Sequence, residues 1–369
     1  MTAATASIPA GIDEVTPQWL TLALRTDPAL PQDITVAALR AEQIAQDTGF
    51  SSLLYRVHLD GSAGLPATVI VKLPAESLAR GAMEMLGGYR KEVHFYETVA
   101  GDTPMSTPHC HVARMAADSA DFVLVLEDLR DWDNADHLTG LSLERTRLCL
   151  EQLAGLHAWS LSADDAVLEG FPGLDTPIAR DIFLPVFAPA WQVYLDKTAT
   201  PVPPAVADLA GRFADLAPAA LEALSERSMV LHGDIRADNM FFRGDELKVV
   251  DFQMAARGAG VADVAYLVSQ SLPTGIRRGH DQQLVRDYLG QLAVFGVTDY
   301  PFDEAWRHYR FAVAYLMYLP VTILISWDTL PERSRQLCLT LVDRAVATIA
   351  GTSPNFDLAV FITGVKKST

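Results

Sequence analysis

Between Met229 and Gln253 the chain sets a dense run of polar residues among three very short apolar segments, and no other stretch constrains the fold as tightly. Residues 229–231, 240–243 and 247–250 read as strands, the last two turning at Gly244 and Asp245. The first two flank His232-Gly233-Asp234-Ile235-Arg236-Ala237-Asp238-Asn239, and Asp251-Phe252-Gln253 begins twelve residues after Asn239. Strands this short offer rigid backbone to a site inside an otherwise helical region. The strand pair is expected to bring Asp251 back beside Asn239. A single Asp or Asn in a turn is ordinarily a cap or turn residue, but three at this spacing around a strand pair predict a site.

The pattern on either side differs. Thr16 followed by Pro17 signals a helix start, with Trp19, Leu20, Ala23 and Leu24 at helical spacing. That helix is expected to be peripheral. Residues 41–73 turn to short β-branched and aromatic runs broken at 47–49 and 60–64, predicting antiparallel strands near 42–46, 53–59 and 68–73. Residues 83–99 carry a helical pattern, and the five apolar residues 122–126 predict a buried strand. His109, Cys110 and His111 alternate like a strand and are read as structural rather than metal-binding. Beyond Asp128, helices are expected at 142–160, 181–197, 204–225, 263–271, 280–295, 303–327 and 331–350. The most apolar stretch, 312–327, is short for a membrane span and contains Pro320, so it is read as a buried helix kinked there. The fold class is α+β, with one domain at 1–127 and another at 128–369.

Composition sets further bounds. Half of the 369 residues are hydrophobic and one fifth are charged, enough to build a sizeable core. A net charge of −17 opposes binding to nucleic acid or to an anionic membrane. Cys110, Cys149 and Cys338 lack any CxxC spacing, which argues against a disulfide framework and for a reducing cytoplasm. The first basic residue is Arg25, so the charged region of a signal peptide is missing, and residues 1–11 are expected to form a loose tail.

Phosphoryl transfer from a nucleotide requires a carboxylate to take the proton of an attacking hydroxyl, oxygen ligands for Mg²⁺, and cations on the phosphates. Asp234 suits the first role, Asn239 and Asp251 the second, and Arg236 is placed to reach the transferring group. The segment resembles the HxDxxxxN motif of the protein-kinase-like superfamily, in the HGD form of aminoglycoside phosphotransferases, choline kinases and the ecdysteroid-kinase-like group. The resemblance runs in order from about Glu42 to Ser271. It implies a bilobal protein-kinase-like fold, with a small antiparallel-sheet N-lobe that binds nucleotide and a larger, mainly helical C-lobe.

By the same resemblance, Lys72 is the phosphate-binding lysine of the third strand and Glu92 its partner from the following helix. A lysine in an apolar strand is costly to bury unless its charge is paired. Val125-Leu126-Glu127-Asp128-Leu129 resembles the hinge, with backbone at Glu127 and Leu129 facing adenine. Gly49, Ser51 and Ser52 lie in the turn that would cover the phosphates. His232 is expected to hold the loop, Asp263 to brace it, and His157 to be a satisfied core histidine.

Departures from protein kinases point to the small-molecule branch. The phosphate turn has one glycine, the metal segment reads Asp-Phe-Gln, and no Ala-Pro-Glu follows Asp251. The implied activity is ATP- and Mg²⁺-dependent transfer of the γ-phosphoryl group to a hydroxyl of a small molecule. Tyr315, Met317, Tyr318 and Trp327 would offer the acceptor an apolar wall. A catalytically silent nucleotide-binding pseudokinase is the alternative, with a protein kinase third. Acceptor identity, ATP against GTP, and oligomeric state are not legible in the sequence.

Overall fold

The computed structural model describes residues 7–45, 52–75 and 78–352. The chain divides into two units. The first comprises Met1–Asp102, Ser106–Asp133 and Lys248–Met254, and the second Thr103–Met105, Asn134–Leu247 and Ala255–Thr369.

In the first unit, helix α1 (Pro17–Leu24) starts as its sequence dictates, with Pro17 in its first turn and the Thr16 side chain accepting the Trp19 N–H at 3.2 Å. Five strands follow, β1 (Val36–Ile44), β2 (Ser52–Gly61), β3 (Thr68–Pro74), β4 (Cys110–Met115) and β5 (Phe122–Glu127). They form one antiparallel sheet in the order β1-β2-β3-β5-β4. The apolar run 122–126 becomes an interior strand with all five residues buried, as its lack of polar alternation requires. The first strand begins at Val36, upstream of the expected 42–46, and Gln46 lies outside the described residues.

Helix α1 is not peripheral. Its buried Trp19, Leu20, Ala23 and Leu24 share one core with Val57, Val69, Val71, Val112 and Val125 of the sheet. The expected loose tail is tied down within its described part, where Ile8 and Ile12 pack against that core and Ser7 O accepts the Trp19 indole N–H at 2.6 Å. The expected helix at 83–99 is two, α2 (Leu78–Met85) and α3 (Gly88–Thr98), separated where Gly87 takes a left-handed φ of 64°.

The second unit is mainly helical. Helix α4 (Leu143–Ser160) is capped by Ser142, whose side chain accepts the Arg145 N–H at 3.2 Å. A two-stranded antiparallel sheet joins Met229–Leu231 to Ala256–Gly258, and Met240–Arg243 follows the 3₁₀ turn Ala237–Asn239. The helix expected at 204–225 breaks at Arg212, and that expected at 303–327 becomes Phe302–Leu316, Tyr318–Ile323 and a 3₁₀ segment Leu324–Thr329. Pro320 explains the break at Met317, one turn upstream, because it cannot donate to the Leu316 carbonyl and its ring crowds that oxygen. Among the described residues, Phe302–Thr329 is the one stretch long and apolar enough to cross a membrane, and 61% of its most apolar window is buried inside the protein.

Candidate active site

The site residues fall into two groups, one in each unit. In the first unit Lys72 lies in the middle of β3, with β2 on one side and β5 on the other, paired in register with Leu54 and Leu124. Its ammonium donates to Glu92 Oε1 at 2.7 Å and to Asp251 Oδ1 at 3.2 Å. Helix α3 supplies Glu92, and the segment Lys248–Met254 supplies Asp251. Burial opposes the charge on Lys72, but Asp251 and Glu92 outweigh it and raise the pKa above the usual lysine value. Two acids thus share one cation. The fully buried acid, Glu92, is pushed up by burial and by the Asp251 charge against the pull of Lys72.

Asp251 has a left-handed φ of 71°, a conformation that Asp tolerates better than most residues. Phe252 anchors it, stacking on Phe95 with centroids 3.5 Å apart, while Tyr96 meets both rings edge-on. Gln253 then donates from Nε2 to Ser52 Oγ at 2.8 Å. The third residue of the Asp-Phe-Gln segment therefore holds the first residue of β2. Gly49 and Ser51, the other two residues of the expected phosphate turn, lie outside the described residues.

At the expected hinge, the Glu127 N–H donates to the His109 carbonyl at 2.8 Å, and its carboxylate accepts from Lys248 Nζ and from the His109 N–H. The Glu127 N–H is thus taken by the residue just before β4, which leaves its carbonyl as the backbone group of Glu127 that could face adenine. The Leu129 carbonyl accepts from Trp132 N at 2.9 Å, and its N–H donates to none of the described residues. Sequence reasoning missed the brace beside them. Arg56 of β2 forks onto Asp128, with Nε–Oδ2 at 2.7 Å and Nη2–Oδ1 at 3.1 Å. An arginine in a strand and an aspartate 72 residues later carry no local signal of pairing.

In the second unit Asp234 follows the strand Met229–Leu231 by way of Gly233, which has a φ of 80°. Asp263 clamps this turn, accepting the His232 N–H at 2.7 Å and the Gly233 N–H at 3.0 Å. The ring of His157 lies 3.2 Å from Asp263 Oδ2 and 2.8 Å from Tyr288 Oη. Gly260 admits this group, because a Cβ there would meet Tyr288 Oη at 2.3 Å and His157 Nδ1 at 2.6 Å. His232 Nδ1 accepts the Asp234 N–H at 3.2 Å, so this histidine shapes the loop.

The Asp234 carboxylate is held on both oxygens. Tyr266 Oη donates to Oδ1 at 3.1 Å and Arg236 Nε to Oδ2 at 3.2 Å, while Arg236 Nη1 lies 3.7 Å from Asp238. Burial and the Asp234 charge push the Tyr266 phenol well above its ordinary pKa, so it remains a donor. Sequence reasoning assigned Tyr266 no role, although its position three residues after Asp263 on one helix turn placed both on the loop side. Asn239 Nδ2 donates to the Asp234 carbonyl at 2.9 Å and lies 3.4 Å from Oδ2. Its Oδ1 accepts from none of the described residues.

Within the expected apolar wall the Tyr315 and Tyr318 rings lie 5.0 Å apart. Tyr315 and Met317 are core residues, whereas Tyr318 and Trp327 keep part of their surface exposed. Trp327 lies under the charges of Lys197 and Arg335, at 5.4 and 5.3 Å from its ring centre.

With this geometry in view, the sequence was compared with known proteins. Residues 46–295 match the model of the ecdysteroid kinase-like family. Among curated proteins none matches the sequence. Similar solved structures include a putative aminoglycoside phosphotransferase from Ralstonia eutropha JMP134, 14% identical over 91% of this chain and 97% of the other, with a TM-score of 0.53. Choline kinase from Cryptosporidium parvum Iowa II is 12% identical over 90% of this chain and 95% of its own, with a TM-score of 0.55. The GDP complex of wild-type aminoglycoside 2′-phosphotransferase-IIIa is 16% identical over 90% and 99%, with a TM-score of 0.52. These likenesses establish a shared bilobal α+β fold.

Proposed function

The chain belongs to the ecdysteroid kinase-like family, and we propose that it transfers the γ-phosphoryl group of ATP to a hydroxyl of a small molecule. The observation that carries this reading is the buried Lys72 ammonium held by both Glu92 and Asp251. A pure packing role would not bury a lysine in an apolar strand and a glutamate on the facing helix, where each charge is costly to desolvate, and bring a second acid onto the same ammonium.

In the proposed mechanism Lys72 binds the nucleotide phosphates and Glu92 positions it. The turn at Gly49, Ser51 and Ser52 covers those phosphates, and the Leu129 N–H, with the backbone at Glu127, meets the base. Asn239 and Asp251 are the metal ligands. An amide oxygen and a carboxylate are hard donors suited to Mg²⁺, and both donor hydrogens of Asn239 sit on the nitrogen that faces Asp234. Mg²⁺, when bound, neutralises charge on the phosphate oxygens. Asp234 takes the proton as the acceptor oxygen bonds to phosphorus and the bond to ADP breaks. Arg236 is assigned to the transferring group, which requires it to leave its 3.7 Å contact with Asp238.

In this reading residues 1–127 supply most of the nucleotide contacts, joined by Leu129 and Asp251, and the rest of 128–369 supplies catalysis and the acceptor site. The family name makes steroid alcohols the first acceptors to test, and the part-exposed Tyr318 and Trp327 suit a weakly polar alcohol. Free Cys110, Cys149 and Cys338 support a cytoplasmic setting.

The test incubates the full chain with Mg²⁺ and γ-labelled ATP or GTP against steroid alcohols, choline, ethanolamine and aminoglycosides. Acceptor-dependent transfer of label to a small molecule, lost in Asp234→Asn, is expected. Label on protein alone would overturn the assignment in favour of a protein kinase. Nucleotide binding without transfer to any acceptor or to water would favour a silent binding module.

A further inference from the structure

A second cluster of ligating groups lies in the first unit, among residues that the phosphotransfer reading does not use. Asp27 follows helix α1 closely, and His109 and His111 flank Cys110, the first residue of the edge strand β4. Asp27 Oδ2 lies 2.8 Å from His109 Nε2 and 2.7 Å from His111 Nδ1, and all three ligand atoms fall within 4.8 Å of one another.

The backbone is built to present this set. Cys110 pairs with Leu126 and Val112 with Val125, so His111 is the extra residue of a β-bulge, a feature that re-aims a side chain. The other oxygen of Asp27 accepts the Ala29 N–H at 2.9 Å, which fixes the carboxylate and turns Oδ2 toward the imidazoles. Charge supplies an independent reason. Asp27 is 3% exposed, and among the described residues no Lys or Arg lies within 4.0 Å of it. Arg25, the nearest basic residue in sequence, is directed elsewhere, with Nε on the Ile34 carbonyl and Nη2 on Thr35. A buried carboxylate whose counter-charges within 4.0 Å, among the described residues, are two imidazoles is suited to a divalent ion that binds nitrogen and oxygen together.

We propose that Asp27, His109 and His111 form a binding site for a transition-metal ion, Zn²⁺ in the first instance, that clips the end of α1 to the edge strand of the sheet. Zinc bonds to imidazole nitrogen and carboxylate oxygen at about 2.0–2.2 Å, which at tetrahedral angles separates neighbouring donors by roughly 3.3 Å. Each imidazole nitrogen needs to move only about half an ångström from its 2.7–2.8 Å contact with Asp27 Oδ2, and the two nitrogens already lie within 4.8 Å of each other. The His109 side chain, 46% exposed, gives the ion its path from solvent, and water completes the fourth position. The three side chains take no part in the proposed nucleotide chemistry, although the His109 backbone is hydrogen-bonded to Glu127 of the hinge.

Untagged full-length protein, stripped with chelator, is titrated with ZnCl₂ by calorimetry in millimolar Mg²⁺, with Co²⁺ absorption as a second readout. One Zn²⁺ per chain at micromolar affinity or tighter is expected, with tetrahedral Co²⁺ bands and a rise in Tm. His109→Ala removes a half-exposed side chain and should fold normally while weakening Zn²⁺ at least tenfold, and Asp27→Asn should do the same. Glu304→Gln, in the separate Glu226, Glu304 and His308 group, should leave this binding unchanged. Equal Zn²⁺ affinity in the wild type and His109→Ala would overturn the proposal, as would competition by millimolar Mg²⁺. The cluster would then be a hydrogen-bonded brace between helix and strand.

Discussion

In the first unit the charged groups of the site come from three separate stretches, Lys72 from β3, Glu92 from α3 and Asp251 from a segment 179 residues after Lys72. In the second unit Asp234, Arg236 and Asn239 lie within six consecutive residues, held mostly by hydrogen bonds from their own loop and from Asp263 and Tyr266. The first group is an ion cluster in which Lys72 and Glu92 are buried, Asp251 is part-exposed, and the members depend on one another. The second is a loop whose turn is fixed by backbone donors on Asp263, with the Asp234 carboxylate held by the Tyr266 and Arg236 side chains. Substitutions in the first should therefore damage stability and nucleotide affinity together, and in the second turnover alone.

Asp234→Asn gives the sharpest test of that contrast. It preserves size and most hydrogen bonds but removes the carboxylate proposed to take the proton, so kcat should fall about 10³-fold. Nucleotide affinity, followed with a fluorescent analogue, should change less than twofold. An equal loss of binding would place Asp234 in the binding machinery and dissolve the distinction.

Lys72→Met is the matching test in the first unit. It leaves Glu92, with 1% of its side chain exposed, facing Asp251 with no cation, and removing one partner of a buried pair costs about 3–5 kcal/mol. Urea unfolding should show this loss, and adding Glu92→Leu should recover part of it. A loss under about 1 kcal/mol would mean that water reaches the cluster and that it behaves like a surface pair.

The same contrast explains what could be read from the sequence. The second group was legible because its residues are close in the chain and their spacing is itself the signal. Lys72 and Glu92 were named through the resemblance, and the structure pairs them at 2.7 Å. The fork between Arg56 and Asp128, the bond from Gln253 to Ser52, and Tyr266 on Asp234 were not legible, because no periodicity links such distant positions. Helix α1 was misjudged for a related reason. Its apolar stripe was visible, but whether that stripe faces a sheet depends on β3 and β5, far along the chain. The breaks at Gly87 and Met317 show local chemistry overriding a continuous apolar pattern, through a left-handed φ in one case and a proline one turn downstream in the other.

A pH dependence is expected in the second unit as well. In the second unit His137 is fully buried, with Nε2 3.0 Å from the Gln270 carbonyl. Burial, assisted by the positive charges of Arg236 and Arg344, lowers its pKa to about 3. The unfolded chain, with a histidine pKa of about 6.5, takes up this proton first as the solution is acidified. The contribution is thus complete above pH 6.5 and is lost as pH falls from there toward 3, with a slope approaching about 1.4 kcal/mol per pH unit. His137→Leu should flatten this part of the urea midpoint against pH. An unchanged slope would assign the acid sensitivity to other groups.

The smallest expected effect is the most specific. Tyr266 and Asp263 sit one turn apart on the helix Val261–Tyr266, and between them they grip the loop at the His232 and Gly233 amides and at the Asp234 carboxylate. Tyr266→Phe removes the bond to Oδ1 but leaves the amide clamp and the Arg236 contact on Oδ2. Because the Asp234 side chain is 21% exposed, water can replace the lost donor, and the fall in kcat should be about tenfold or less. Since the phenol orients the carboxylate without taking a proton, kcat should drop with KM for nucleotide unchanged and the shape of the pH profile preserved. A loss approaching that of Asp234→Asn would move Tyr266 from positioning into the proton transfer itself. No change at all would mean that the amide clamp alone sets the loop, so that Asp263 carries the whole contrast between the two units.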